Sequence, residues 1–140
     1  MSLNMATWPD DTKVGGLELR ASAAAGADAT ADAVEIGKGK YRIVTTWTGC
    51  EVDDNDELYV ITLEANTRYA TSTWYEIGVL AVLGDSVATG RDTDNSSTGS
   101  VEIIVDNPYD YQVRVRTYVN GTITTGVTYS VTAYPLGRKA

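Results

Sequence analysis

Between residues 111 and 119 the side chains alternate strictly: Tyr111, Val113, Val115, Thr117 and Val119 on one side, Gln112, Arg114, Arg116 and Tyr118 on the other. A period of two is the mark of an extended strand with one face turned inward and one turned out. It leaves no place for a helix, whose apolar positions recur every three or four residues. The pair Asn120-Gly121 follows, a dipeptide suited to the positive φ angles of a two-residue type I′ turn. Alternation then resumes through Ile123, Thr125, Val127, Tyr129 and Val131, with Gly126 as the mark of a bulge. With residues 100–106 ahead of it, this block reads as sheet assembled from neighbours, its last two strands closed into a hairpin at Asn120-Gly121.

Further strand patterns fall at residues 33–36, 40–48, 57–65 and 72–83, separated by glycine, asparagine and aspartate, and no amphipathic helix interrupts them. The spacing predicts an all-β fold of seven or eight strands, an antiparallel β-sandwich or a jelly-roll-like barrel. Residues 1–32 read differently. Trp8-Pro9, Asp10-Asp11 and Gly15-Gly16 show no period, Leu17 to Arg20 alternate briefly, and the run from Ala21 to Ala29 is almost all small residues. An extended N-terminal arm and connection over 1–32, and a sandwich domain over 33–140, are therefore expected.

The chemistry open to this chain is narrow, because its 140 residues include no histidine and a single cysteine, Cys50. Histidine-dependent serine hydrolysis is excluded. Without a histidine to activate it, Cys50 is read as a structural, partly buried thiol, and one cysteine forms no intrachain disulfide. Nineteen acidic against eleven basic residues leave a net charge of -8, which repels nucleic acid and anionic lipid. No stretch approaches the roughly 18 apolar residues of a membrane helix, and no export signal is visible; a soluble, non-exported protein is expected.

Several groups remain as candidates. Asp53, Asp54 and Asp56 form an acidic loop of the kind that binds calcium, although the spacing lacks the EF-hand pattern and a solvated connection is the favoured reading. Asp92 and Asp94 are a weaker version of the same idea. Glu64, Glu76 and Glu102 lie within strands; two carboxylates roughly 5 to 10 Å apart can hydrolyse a glycoside, but outward glutamates are ordinary on a sheet, so no enzyme is expected. Trp47, Trp74 and Tyr75 suggest a sugar platform or, in a chain with no phenylalanine, core filling; core is preferred. Asn95-Ser96-Ser97 and Asn120-Gly121-Thr122 match the glycosylation pattern, the second being better explained as a turn. Arg114 and Arg116 share one strand face, either solvated or set against acidic groups of a partner.

The segment Ala33-Val34-Glu35-Ile36-Gly37-Lys38-Gly39-Lys40-Tyr41-Arg42-Ile43-Val44, followed by Glu57-Leu58-Tyr59-Val60-Ile61-Thr62-Leu63-Glu64, resembles the capsid decoration, or head cement, proteins of tailed bacteriophages. Tyr111-Gln112-Val113-Arg114-Val115, with Asn120-Gly121-Thr122-Ile123 and Gly126-Val127, extends the likeness over residues 33–134. It is a likeness of overall pattern, with no single diagnostic motif. The resemblance implies a structural protein on the outer surface of the phage head, assembled in the host cytoplasm and tying neighbouring capsomers together. It implies the major capsid protein as partner, self-association with a trimer favoured, and no cofactor, nucleic acid, membrane or catalytic residue. Contacts are then expected at Trp8, Pro9, Leu17, Leu19, Arg114 and Arg116. A carbohydrate-binding sandwich module, or another virion component of the tail or fibre, is the alternative.

Overall fold

The computed structural model describes residues 16–50, 58–84, 98–121 and 126–136. Nine strands occur among them: β1 (Leu17–Ala25), β2 (Ala29–Thr30), β3 (Val34–Glu35), β4 (Gly39–Thr48), β5 (Leu58–Thr67), β6 (Ala70–Leu83), β7 (Thr98–Asn107), β8 (Gln112–Asn120) and β9 (Val127–Pro135). They form two antiparallel sheets. The first has the order β1-β9-β4-β7; in the second, β6, β5 and β8 lie side by side, and β2 and β3 both pair with the far edge of β8. The fold is thus an all-β sandwich. Among the described residues no helix is long and apolar enough to cross a membrane.

Burial follows alternation on the strands where the sequence alternates. On β4 the inward set is Tyr41, Ile43, Thr45 and Trp47, on β8 Val113, Val115 and Thr117, and on β9 Val127, Tyr129, Val131 and Ala133. These meet Tyr59, Ile61 and Leu63 of β5 and Leu80 and Leu83 of β6 in one core. Trp47, Tyr59 and Tyr129 are its largest fully buried side chains, so aromatic rings with polar tips do the filling that phenylalanine does elsewhere. The Trp47 ring needs space across the ladder, where its Cα partner is Gly99. A Cβ on Gly99 would stand 2.7 Å from Trp47 Cζ2, so the indole covers a position only glycine leaves open.

The pairing departs from the expected assembly of neighbours. The strands of residues 100–134 do not pair with one another: β7 joins β4, β8 joins β5, and β9 lies between β1 and β4. Asn120-Gly121 is therefore not a hairpin turn, since β8 ends at Asn120 in one sheet and β9 begins at Val127 in the other. The cause is occupancy. β8 already carries β5 along one edge and β2 and β3 along the other, which leaves β9 no edge to join. Gly121 does adopt a positive φ, 93°, so the dipeptide turns the chain as its chemistry suggests, but out of the sheet.

Residues 17–30 also differ from the expected arm and connection. Leu17–Ala25 is the edge strand β1, hydrogen-bonded along β9 with irregular register near Val131. The next residues follow β8: Asp28 Oδ1 accepts from Val119 N at 2.7 Å, and Ala31 N and Ile36 N donate to the carbonyls of Val115 and Tyr111 at 2.9 and 3.0 Å. Ladder bonds use the backbone and are indifferent to side-chain size. An edge strand covered on one side needs few large residues, which is why alanines serve and why side-chain pattern marked only its first four residues, Leu17 to Arg20.

Gly99→Ala should lower stability by about 1–3 kcal/mol through overpacking against Trp47, whereas Gly37→Ala, whose added carbon would meet only Tyr41 Oη at 3.9 Å, should be close to neutral in thermal melts. Burial raises the phenol pKa of Tyr129 above its usual value, with the hydroxyl paired to Thr117 Oγ1 and Arg20 opposing the rise. Because the folded state holds this phenol neutral, the stability it contributes is complete below about pH 10 and lost as pH climbs through the raised value. Denaturant titrations across the alkaline range should show Tyr129→Phe with a shallower decline than the parent.

Candidate functional site at the tyrosine-rich end of the sandwich

Antiparallel pairing places five chain positions at one end of the sandwich. Leu17 pairs with Ala133, Pro135 with Tyr41, Gly39 with Asn107, Ala65 with Val113 and Thr67 with Ala70. The turn Arg68-Tyr69, the connections 36–38 and 108–111, and both Gly16 and Leu136 therefore lie together. Two buried asparagines hold this end. Asn66, fully buried, accepts from Gln112 N at 2.8 Å and donates to Thr71 O at 2.9 Å and Gln112 Oε1 at 3.1 Å. Asn107 donates to Gly37 O at 3.2 Å and accepts from Tyr109 N at 3.1 Å, and Tyr41 Oη also donates to Gly37 O, at 2.7 Å. Amide side chains here satisfy backbone groups that the ladders leave behind.

What this frame presents is aromatic. Tyr69 is 96% exposed at the turn, and Tyr75, 42% exposed, stacks on Tyr109 with ring centroids 5.0 Å apart and planes 14° from parallel. Arg68 ties three elements: its amide donates to Asp110 Oδ1 at 3.3 Å, its guanidinium pairs with Glu35 at 2.7 Å and lies 4.6 Å over the Tyr111 ring. Leu17 and Leu136 are the remaining exposed leucines of the described residues, and both flank this end. Tyrosine offers a large apolar face, a hydroxyl and few rotatable bonds, the properties that recur in protein-binding surfaces.

A second polar cluster lies on the outer face of the β5–β6–β8 sheet. Glu64, whose side chain is only 8% exposed, accepts from Arg114 Nε at 2.7 Å and from Arg116 Nη1 at 3.5 Å. Arg114 lies 4.2 Å over Trp74, and Arg116 4.7 Å over Tyr118. Both arginines thus share the outward face, as their spacing implies, and both are engaged within the chain. Glu76 is the Cα partner of Glu64, while Glu102 sits in the other sheet in an exposed pair with Arg42 at 3.1 Å. Since guanidinium groups contact both oxygens of Glu64, the arrangement is an ion-pair ladder capped by aromatic rings.

The other candidates are dispersed. Trp47 is 1% exposed in the core, Trp74 is half-buried under Arg114, and Tyr75 faces solvent at the far edge of its sheet, so the three form no common platform. Leu19, expected as a contact, is 2% exposed and packs in the core, which removes it from any surface of this fold; Leu17 is 39% exposed. Cys50 is buried, at 3%. Trp8, Pro9, Asp53, Asp54, Asp56, Asp92, Asp94 and Asn95-Ser96-Ser97 lie outside the described residues. A groove of about 450 Å³ opens between β1 and the β2–β3 segment. In it, Arg20 donates to the carbonyls of Tyr129 and Ala23 at 2.5 and 3.0 Å and covers the Tyr129 ring at 3.8 Å.

The sequence reading missed Arg68, Tyr69, Tyr109 and Tyr111 as a group. One signal was available: an aromatic in the two-residue turn between two long strand patterns has no core to enter. Their assembly depends on Asn66 and Asn107, whose burial no local pattern announces. No family model matches the chain, and no curated protein matches it.

Glu64→Ala strands two guanidinium groups over the sheet and should cost about 2 kcal/mol in chemical denaturation. Glu102→Ala, which removes only an exposed pair, should cost no more than about 1 kcal/mol.

Proposed function

We propose that this chain is a structural virion protein that decorates the outer surface of a tailed-phage capsid and stabilises it by bridging neighbouring capsomers. The observation that carries this reading is a division of labour among the side chains. Among the described residues the best-buried carboxylate, Glu64, is held by two arginines, while four of the five exposed large apolar side chains, Leu17, Tyr69, Tyr75 and Leu136, gather at one end, the fifth being Ile104 on the outer face of β7. That is a surface for attachment, with little to offer a reaction. The strand order supports the same reading. With β2 and β3 counted as one interrupted strand, first pairs with last, second with second-last, third with sixth and fourth with fifth, the winding of a jelly roll, an architecture found in viral capsid domains.

The partner in this proposal is the major capsid protein, and copies of the chain associate with one another, a trimer being favoured. Binding only the assembled shell stabilises the shell by mass action, and many weak contacts repeated over a lattice add through avidity. A carbohydrate-binding module is the second reading, supported by the exposed ring of Tyr75, stacked on the half-buried Tyr109.

Co-sedimentation with purified capsids tests the proposal, and capsids carrying the protein should resist heating better than bare ones. Removal of residues 1–15 should leave the melting transition of the isolated chain nearly unchanged and weaken attachment. The cut must stop before Gly16, which packs against Thr132, Ala133 and Tyr134. Attachment undiminished by this truncation counts against a role for the arm, and glycan-array binding without capsid binding favours the second reading.

A further inference from the structure

The carboxylates of the chain are unevenly distributed along the fold. At the tyrosine-rich end the described ionisable groups come close to balance: Arg68 faces Glu35, Arg42 faces Glu102, and Lys40 lies opposite Asp106 in the ladder. At the other end, Cys50 and Leu58 bracket residues 51–57, which contain five carboxylates and no cation. Gly84 and Thr98, also there, bracket residues 85–97, with three carboxylates against Arg91 alone. Much of the net charge of -8 is thus carried by segments that join the fold away from the tyrosines.

We infer that the protein docks end-on, through Tyr69, Tyr75, Tyr109 and Arg68, against an uncharged protein surface of the capsid shell, with the end at which the acidic segments 51–57 and 85–97 join the fold pointing away. This rests on the decoration reading above and adds which surface makes the contact and what chemistry it meets. Three observations converge. Tyr69 is 96% exposed on a turn whose neighbours are fixed by Asn66, Asp110 and Glu35, so the backbone that carries the ring is held while nearly all of the ring is left for a partner to cover. Arg68 and Arg42 are already paired with Glu35 and Glu102 within the chain, so covering these four groups strips no isolated ion of water. The described chain also begins and stops here, at Gly16 and Leu136, so residues 1–15 and 137–140 are joined to the fold at this end. A negative shell surface or a glycan would demand different complementarity, an excess of cations or of hydrogen-bonding groups around a ring.

The test is co-sedimentation with capsids of the full chain, of Tyr69→Ala, of the double variant Tyr69→Ala with Tyr75→Ala, and of a triple variant, Asp53→Asn, Asp54→Asn and Asp56→Asn. A melting curve for each shows that it is folded. Tyr69 has almost no contact area to lose, so Tyr69→Ala remains informative even if the double variant is unstable. Expected is a loss of about tenfold or more in capsid affinity for Tyr69→Ala, as for a central aromatic of an interface. The triple variant should match the parent, and affinity should change little between low and high salt. Equal binding by Tyr69→Ala while the parent binds overturns the end-on contact and leaves the decoration reading standing; failure of the parent to bind capsids overturns both. Loss of binding in the triple variant, or affinity falling steeply with salt, overturns the uncharged contact. If Tyr69→Ala instead dissolves a self-associated form in light scattering, or abolishes glycan binding, with capsid affinity intact, the occupant is a second copy or a sugar and the inference fails.

Discussion

Apart from the β5–β6 hairpin, each ladder between full-length strands joins segments far apart in the chain. β1 depends on β9, β4 on β7 and β9, and β5 on β8. Each such pairing closes a long loop before it gains any burial, so no half of the molecule is stable without the other. Among the described residues the one ladder between full-length strands adjacent in sequence is the hairpin through Arg68 and Tyr69, the turn that also carries their most exposed tyrosine. The turn that closes the one local ladder and the most exposed surface of the described residues are thus the same residues.

This dependence explains what could be read from the sequence and what could not. Strand identity was legible wherever large and small side chains alternate, as on β4, β8 and β9, because alternation records which face is buried. Pairing was illegible for the same reason: Val113, Val115 and Thr117 specify an inward face without specifying a neighbour. Asn120-Gly121 misled because its chemistry encodes a reversal of the chain, which a crossing between sheets uses as readily as a hairpin. The alanines of β1 concealed a strand because backbone bonding to β9 leaves no trace in side-chain size.

The surface was less legible than the core. Arg114 and Arg116 were marked by their shared face, yet Glu64 became their partner only when β5 was laid beside β8. Asn66 and Asn107 look like ordinary loop-forming residues in the sequence. They are buried at strand ends, where Asn66 ties β5 to Thr71 of β6 and Gln112 of β8, and Asn107 ties β7 to Gly37 and Tyr109 in the neighbouring connections. Polar residues of this kind contribute position more than stability.

Gly16 and Leu136 leave the sandwich from the same end, beside Tyr134 and Lys40. A foreign domain joined before residue 16 or after residue 136 would therefore crowd the tyrosines. One inserted between Cys50 and Leu58 would stand at the opposite pole, about 30 Å away along strands of nine or ten residues. For anyone wishing to hang cargo on this scaffold, the geometry favours an interior loop over either terminus.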